Sequence, residues 1–166
     1  MSKKEVKTNA MRILDRMKIP YTYQTYECDE FSDGIHTADQ LGLDHERVFK
    51  TIVTTGKSGG HYVFVIPIEE EIDFKKAAKA VGEKSLEMLP LRELTLVTGY
   101  VRGGCTSIGM KKKFPTVIQE SARAFEQIYV SGGKIGMQLS LAPEDLKRAT
   151  DAEFGDVIRI ADYYGG

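Results

Sequence analysis

The 166-residue sequence has few cysteines, no long apolar run and no excess of charge of either sign. Cys28 and Cys105 are too few for a disulfide framework and do not form a CxxC pair. No apolar run approaches the roughly 18 residues of a membrane span, and the Lys-rich start lacks a signal-peptide core. With 23 basic and 24 acidic residues, the net charge of -1 argues against a protein that coats nucleic acid by charge alone. We expect a reduced, cytoplasmic, single-domain protein over residues 1–166, with no membrane or DNA partner.

The common catalytic signatures are also missing. His36, His45 and His61 are scattered, with no HxH or HExxH pattern and no cysteine at ligand spacing, so a zinc site is not expected. The sequence has no GxSxG elbow, no phosphate-binding GxxxxGK loop and no strand followed by GxGxxG. The run Glu69-Glu70-Glu71 is typical of a solvated turn after a strand. The near-neutral net charge does not exclude brief binding of RNA by a local basic patch.

The spacing of apolar residues predicts a mixed α/β (α+β) fold. The first helix is expected to begin at a capping pair, Ser2 and Glu5, and to end before Pro20. A second helix is expected over residues 37–41, with Thr37 as its cap. Further helices are expected over residues 73–82, 90–99 and 121–127 and from Pro143 onward. Strands are expected over residues 21–26, 48–55, 62–68, 114–119, 128–130, 135–141 and 157–160. The strands at 48–55 and 62–68, separated by the glycine-containing loop at 56–60, are expected to form a hairpin. Because these elements follow no strict βαβ repeat, a mixed central sheet flanked by helices fits better than a doubly wound parallel sheet.

Lys50 is the first residue that points to a function. With a period of two it shares a strand face with Val48 and Ile52, where desolvation of an ammonium costs free energy unless an anion pairs with it. One interpretation is an edge-strand lysine whose side chain reaches water. The other is a cation at the rim of a pocket for a negatively charged ligand or transition state. The strand pattern alone leaves both open.

A glycine-rich segment at residues 99–109 is the second feature. Its glycines at 103, 104 and 109 can adopt positive φ, approach a ligand closely and present N–H groups to an anion. An ordinary connection is the alternative. Cys105 lies in this segment, but no His stands near it in sequence to activate it as a nucleophile. The following Lys111-Lys112-Lys113 run either holds phosphates near the loop or forms a solvated surface.

Taken together, these segments resemble the YbaK family of trans-acting aminoacyl-tRNA deacylases. The resemblance runs in order along nearly the whole chain, which makes it more specific than any one motif. It is carried by the first helix at residues 4–17 and by TY at 25–26, LGL at 41–43, VFKT at 48–51, GYVRGG at 99–104, IGMKK at 108–112, FPT at 114–116 and IYVSGGK at 128–134.

The resemblance implies a mixed sheet that is partly closed like a barrel and surrounded by helices. It also implies hydrolysis of mischarged tRNA, chiefly tRNA for proline that carries cysteine. Such mischarging occurs because a synthetase pocket that admits proline cannot strongly reject cysteine by packing alone. In the family mechanism the substrate's own thiol attacks its ester carbonyl, giving a cyclic thiolactone and free tRNA. This mechanism needs no metal or organic cofactor. Since near-neutral charge predicts weak binding of free tRNA, prolyl-tRNA synthetase is an expected partner.

The resemblance also implies roles for individual residues. Lys50 is expected to orient the terminal adenosine or its phosphate, while N–H groups of Gly103 and Gly104 form an oxyanion hole. Contacts with the aminoacyl group are expected from Tyr26, Thr51, Cys105, Thr106, Ser107, Gly109 and Gln138. Contacts with the tRNA backbone are expected from Lys111 and Lys112.

Three departures from the family pattern leave alternatives open. Ser107 stands where the family loop has proline, and Gln138 stands where many members carry an acidic residue on the last long strand. The stretch at residues 27–36 also differs in length and content. These changes bear on the amino acid that is removed, so an Ala-tRNA(Pro) deacylase is one alternative. A non-catalytic module that holds tRNA or a synthetase is the other.

Overall fold

The computed structural model describes residues 7–27 and 34–160, and their fold is mixed α/β. The helices are α1 (Asn9–Arg16), α2 (Gly34–Leu41), α3 (Phe74–Val81), α4 (Leu94–Thr98) and α5 (Pro143–Thr150). The strands are β1 (Thr22–Thr25), β2 (Phe49–Gly56), β3 (His61–Pro67), β4 (Leu86–Met88), β5 (Thr116–Gln119), β6 (Ile128–Ser131), β7 (Met137–Leu141) and β8 (Glu153–Gly155). Short 3-10 helices cover His45–Arg47, Leu91–Glu93 and Glu120–Ala124. None of the helices in these ranges is long and apolar enough to cross a membrane.

A five-stranded sheet forms the larger layer, in the order β4-β2-β3-β5-β8. β2 and β3 form the predicted antiparallel hairpin, β5 runs parallel to β3, and β8 runs parallel to β5. The predicted mixed sheet is therefore confirmed. Residues 63–66 of β3 are fully buried, as expected for a strand covered on both faces. Sequence analysis missed β4, because three residues are too few to show an alternating pattern.

β1, β7 and β6 form a second, antiparallel sheet. It meets the larger sheet at a single bridge between Val48 and Tyr129. Because this pairing ends after one residue pair, the hydrogen-bond ladder does not continue from one sheet to the other. The expected partial closure into a barrel is not confirmed: the described strands form two sheets rather than one closed sheet.

The first helix begins later than the sequence pattern suggests. α1 starts at Asn9, where the Thr8 hydroxyl accepts a hydrogen bond from the Met11 N–H at 3.2 Å. The capping pair expected at Ser2 and Glu5 lies outside the described residues, and the cap of α1 is Thr8. Apolar spacing does not by itself mark the first turn, whereas a hydroxyl that satisfies a free N–H does.

The second helix begins three residues earlier than predicted. α2 starts at Gly34, so Thr37 lies inside the helix and is buried instead of capping its start. The helix ends before Gly42, which has a φ of +71° and takes the predicted position beyond the last turn. The sequence alone does not distinguish a threonine that caps a helix from one that is buried inside it.

The last predicted strand, at residues 157–160, is wrong. The chain there makes one isolated bridge, between Ile72 and Ile158, and β8 pairs with β5 instead. The Gln119 side chain takes the place of a strand partner, because its Oε1 accepts a hydrogen bond from the Val157 N–H at 2.7 Å. Apolar alternation in a short segment does not reveal such a side-chain partner.

Apolar clusters pack on both faces of the larger sheet. One lies between this sheet, the smaller sheet, α1 and α5, and the other lies between the larger sheet and α3. A third, smaller cluster of Ala38, Val48 and Ile68 attaches α2 to the start of β2. The two sheets, α2 and the glycine-rich loop approach one another beside this third cluster.

Candidate active site

A narrow cavity of about 150 Å³ lies where α2, the start of β2 and the smaller sheet meet. We call it the narrow cavity. It brings together five residues that were predicted as site residues, namely Tyr26, Thr51, Gly103, Cys105 and Gln138. Its other lining residues are Thr37, Val48, Phe49, Ile68 and Ser131. Residues from seven separate places in the sequence thus line one small space.

Gln138 gives the narrow cavity an unused hydrogen-bond acceptor. It lies on β7, only 7% of its surface is exposed, and its side-chain Oε1 has no hydrogen-bond partner within the described part of the chain. Leaving a buried acceptor without a partner costs about 1–3 kcal/mol. Because Gln138 lines the cavity, a ligand that donates a hydrogen bond there recovers this cost.

The Lys50 ammonium lies next to the narrow cavity. Its side chain is partly buried, and Nζ donates a hydrogen bond at 3.1 Å to the carbonyl of Ile68, which lines the cavity. Burial lowers the pKa of the Lys50 ammonium, while the carboxylates of Glu71 and Glu70 act in the opposite direction. Instead of reaching water, the side chain folds back onto the protein and keeps a cation beside the cavity.

The first half of the glycine loop, residues 103–105, forms a wall of the narrow cavity. Gly103 has a φ of +86°. A Cβ on Gly104 would lie 2.8 Å from the Cα of Lys134 and 2.9 Å from the backbone nitrogen of Ile135, so only glycine lets the loop lie against that turn. The position of the loop therefore depends on a close backbone contact at Gly104, which a residue with a Cβ would prevent.

The N–H groups of this half differ from the expectation in one respect. The Gly104 N–H donates to the Val101 carbonyl at 2.9 Å and so belongs to the turn itself. The N–H groups of Gly103 and Cys105 have no partner within residues 7–27 and 34–160. The pair of backbone donors beside the cavity is thus Gly103 and Cys105, with Gly104 as the residue that lets them sit there.

The second half of the loop, residues 106–109, turns away from the narrow cavity. Thr106 is fully buried, and its hydroxyl accepts a hydrogen bond from the Ile108 N–H at 3.4 Å. Gly109 has a φ of +78° and packs under α1, where its carbonyl accepts a hydrogen bond from Asn9 Nδ2 at 3.0 Å. Ser107 and Gly109 line a different cavity of about 310 Å³, so the structure does not bring them to the other predicted site residues.

This different cavity carries basic residues, and we call it the cationic cavity. Arg16, Lys112 and Lys113 line it together with apolar side chains from α1 and the segment around Phe114. Lys113 forms an ion pair with Asp151 at 2.8 Å. The predicted tRNA-contacting residue Lys112 is thus placed here, whereas Lys111 lies outside this lining and its N–H donates to the Thr98 carbonyl at 3.0 Å.

Cys105 lies in the wall of the narrow cavity, but its thiol is not activated. Burial raises the pKa of the thiol to about 11, and a hydrogen bond with Thr98 opposes this only in part. A thiol with such a pKa is protonated at neutral pH, whereas the thiolate is the nucleophile. Among the residues whose side chains the structure describes, no histidine lines the cavity to remove the proton. A nucleophilic role for this side chain therefore has no support in the geometry.

Sequence analysis missed two polar residues of the narrow cavity. Thr37 was interpreted as a helix cap, and Ser131 lies just beyond the strand predicted at residues 128–130, yet both line the cavity. Ser131 had a usable signal, because it lies in the IYVSGGK segment that contributes to the family resemblance. Nothing in the local sequence distinguishes Thr37 from an ordinary capping residue.

Known proteins were found that share this sequence pattern and fold. A family model described as the aminoacyl-tRNA editing domain matches residues 33–149. The chain is similar to an Enterococcus faecalis protein named "Putative Cys-tRNA(Pro)/Cys-tRNA(Cys) deacylase EbsC". The two are 46% identical over 160 residues, which cover 95% of this chain and 98% of that protein.

Two solved structures have a similar fold. One, described as "hypothetical protein APE2540", has a TM-score of 0.82 and 20% identity and covers 91% of this chain and 99% of its own. The other, described as "a putative trans-editing enzyme for prolyl tRNA synthetase", has a TM-score of 0.78 and 19% identity. It covers 94% of this chain and 100% of its own. At these identities the two structures show the shared fold alone.

Proposed function

Because the chain belongs to the aminoacyl-tRNA editing domain family, we propose that it deacylates mischarged tRNA in trans, with Cys-tRNA(Pro) as its main substrate. The family model and the 46% identical relative confirm the resemblance to YbaK-type deacylases. That relative carries Cys-tRNA(Pro) and Cys-tRNA(Cys) in its name. The proposed activity implies that the chain works where tRNA is charged, in the cytoplasm.

The observation that carries the proposal is the small size of the narrow cavity together with its unused polar groups. About 150 Å³ suits a small aminoacyl group better than a large one. The Gln138 oxygen accepts a hydrogen bond from the α-ammonium or the thiol of the cysteinyl group. Since this amide lacks a full negative charge, Gln138 binds the donor less strongly than a carboxylate would.

The backbone donors at Gly103 and Cys105 supply the electrostatic part of the reaction. When the ester carbonyl is attacked, negative charge develops on its oxygen, and in this proposal both N–H groups, which have no partner among residues 7–27 and 34–160, donate to it. Removing one such donor commonly costs about 10²–10³ in rate. In this proposal Lys50 orients the terminal adenosine or its phosphate from beside the cavity.

The nucleophile in this proposal is the thiol of the substrate. Its sulfur attacks the carbonyl carbon, the bond from that carbon to the ribose oxygen breaks, and the ribose oxygen takes up a proton. The products are a cyclic thiolactone, which water then opens to cysteine, and free tRNA. Holding the cysteinyl group in an attack geometry can lower the barrier by roughly 7–11 kcal/mol. The protonated Cys105 thiol is consistent with a mechanism that uses no nucleophile from the protein.

Contacts with the rest of the tRNA are proposed at the cationic cavity. Lys112 and Arg16 present charges that form no hydrogen bond or ion pair within the described residues. Lys111 is proposed to contact the tRNA backbone as well. Because the net charge is -1, these few contacts predict weak binding of free tRNA, and we propose prolyl-tRNA synthetase as a partner that delivers the substrate.

The proposal is tested by comparing three substrates: Cys-tRNA(Pro), the same tRNA carrying S-methylcysteine, and Ala-tRNA(Pro). We expect rapid release from the first, and at least about a hundredfold slower release from the second, because the methyl group blocks the attacking sulfur. Equal rates on the first two would contradict attack by the substrate thiol. A faster rate on Ala-tRNA(Pro) would change the substrate to alanine, the alternative that Ser107 and Gln138 left open.

The non-catalytic alternative is decided by the same assay run with prolyl-tRNA synthetase present. Saturable binding of tRNA without release of any amino acid would replace the enzyme by a binding module. A pull-down of purified synthetase with the charged tRNA tests the partner separately. No association under conditions that support deacylation would contradict the proposed delivery.

A further inference from the structure

The narrow cavity has a larger neighbour that the proposed function does not yet use. A groove of about 430 Å³ runs along β2 beside β4 and α4, and we call it the apolar groove. Its lining includes Met88, Leu91, Leu94 and Arg102. The groove and the narrow cavity share three lining residues, Thr51, Gly103 and Cys105.

We propose that the apolar groove binds the terminal adenosine of tRNA while the narrow cavity holds the aminoacyl group. This inference rests on the proposed function. It fixes the direction in which the substrate lies across β2. It also assigns a nucleoside-binding site to residues of β4 and α4, which no sequence motif marked.

The first argument is size. An aminoacyl ester joins a small acyl group to a larger, flat nucleoside, and the two spaces differ in the same sense, about 150 Å³ against about 430 Å³. The narrow cavity cannot hold the nucleoside in addition to the acyl group. The reverse placement would leave the larger space around the smaller group.

The second argument is the position of the shared residues. The scissile ester is the link between acyl group and ribose, so it must lie where the two spaces adjoin. Gly103 and Cys105 lie at that junction, and within the first half of the loop, residues 103–105, theirs are the N–H groups without a partner in the described ranges. The size argument and the position of the oxyanion donors therefore give the same placement of the ester.

The third argument is the chemistry of the groove. Met88 and Leu91 are large apolar side chains with 49% and 54% of their surface exposed, and both line the same groove, so they form an apolar patch rather than single exposed residues. Purine rings stack on apolar and planar side chains, and Arg102 adds a guanidinium group to the same groove. The flat base of adenosine matches the apolar part of this lining, and the guanidinium of Arg102 suits either the base or the phosphate of the same nucleotide.

The test uses Met88→Ala and Leu91→Ala, with Leu96→Ala as a matched control. Leu96 is 74% exposed and lies on α4, but it does not line the groove. We expect KM for Cys-tRNA(Pro) to rise about tenfold in both groove variants, because loss of base stacking weakens binding of the terminal nucleoside. The kcat should stay within about twofold, because the oxyanion donors are unchanged. Leu96→Ala should behave as wild type.

A second readout separates this inference from the proposed function. An uncharged tRNA whose terminal adenosine is replaced by 2-aminopurine should lose fluorescence when bound by the wild type and by Leu96→Ala, and lose less with Leu91→Ala. This signal needs no deacylation, so it decides the inference even if no charged tRNA is cleaved. Unchanged KM and unchanged fluorescence in both groove variants would overturn it. Loss of synthetase association alone in these variants would also overturn it, in favour of a protein-binding groove.

Discussion

The two halves of the glycine loop are adjacent in sequence but serve different surfaces. Residues 103–105 line the narrow cavity and the apolar groove, and two of their N–H groups have no partner in the described part of the chain. Residues 106–109 pack against α1 and line the cationic cavity. The two halves of this glycine motif thus differ in structure: the first half lies at the narrow cavity with two backbone donors, and the second half attaches the loop to the first helix.

The difference between the two halves of the glycine loop is tested most strongly by replacing one glycine in each half by alanine. Gly104→Ala places a Cβ 2.8 Å from backbone, so the loop must move and carry the N–H groups of Gly103 and Cys105 with it. We expect the deacylation rate to fall by about 10²–10³. The measurement is single-turnover release of cysteine, with the unfolding temperature recorded for the same sample.

Gly109→Ala should instead cost stability. Its positive φ makes alanine unfavourable by roughly 1–2 kcal/mol. The added Cβ would meet the flexible ends of Ile13 and Asn9, which can shift more easily than backbone. We expect a lower unfolding temperature and a much smaller rate loss than for Gly104→Ala. Equal rate losses in the two variants would contradict a division of roles within the loop.

A smaller effect is expected at the cationic cavity. Replacing both Arg16 and Lys112 by Gln should raise KM for tRNA a few-fold and reduce the slope of log affinity against log salt by about 1.4, as for two lost contacts with a single strand. Lys57→Gln is the control, because Lys57 is exposed in the β2–β3 turn and does not line this cavity. An unchanged salt slope in the double variant would exclude this cavity from tRNA binding.

The smallest effect is expected at the Cys105 thiol. Since burial raises its pKa to about 11, the thiolate fraction at neutral pH is very small. Alkylation by iodoacetamide in a Cys28→Ser background should be slow at pH 7 and should still be accelerating with pH at pH 9.5. A rate that levels off near pH 8 would mean an activated thiol and would reopen a nucleophilic role for Cys105.

The strength of the sequence pattern decided which parts of the fold were predictable. The β2–β3 hairpin, α3 and α5 were predicted because they combine apolar periodicity with turn or cap signals, such as Asp73 and Gly82 around α3. β4 is too short to show a pattern. The expected partial barrel was not confirmed, because among the described strands the two sheets are joined by one bridge, Val48 to Tyr129, and no local sequence signal shows where such pairing stops.

The site was predictable to a similar extent. Lys50 was suspected from a charge on an apolar strand face, while Tyr26 and Gln138 followed from the family resemblance. The sequence cannot show which loop N–H groups already donate within the protein. Only the structure shows that the Gly104 N–H is bonded to Val101, which is why the proposed donors are Gly103 and Cys105 instead of Gly103 and Gly104. The sequence also cannot show that Ser107 and Gly109 line a different cavity from Gly103 and Cys105, because the chain changes direction within four residues.

The central claim is that the narrow cavity, with Lys50 beside it, is the deacylation site. The most direct test is single-turnover release of labelled cysteine from Cys-tRNA(Pro) by the wild type, by Lys50→Ala and by Lys57→Ala, whose lysine is exposed in the β2–β3 turn. We predict that Lys50→Ala is about 100-fold slower at an unfolding temperature no lower than that of the wild type, and that Lys57→Ala is unchanged. Equal rates for wild type and Lys50→Ala would contradict the role of Lys50. No release by the folded wild type with its synthetase present would contradict the claim as a whole.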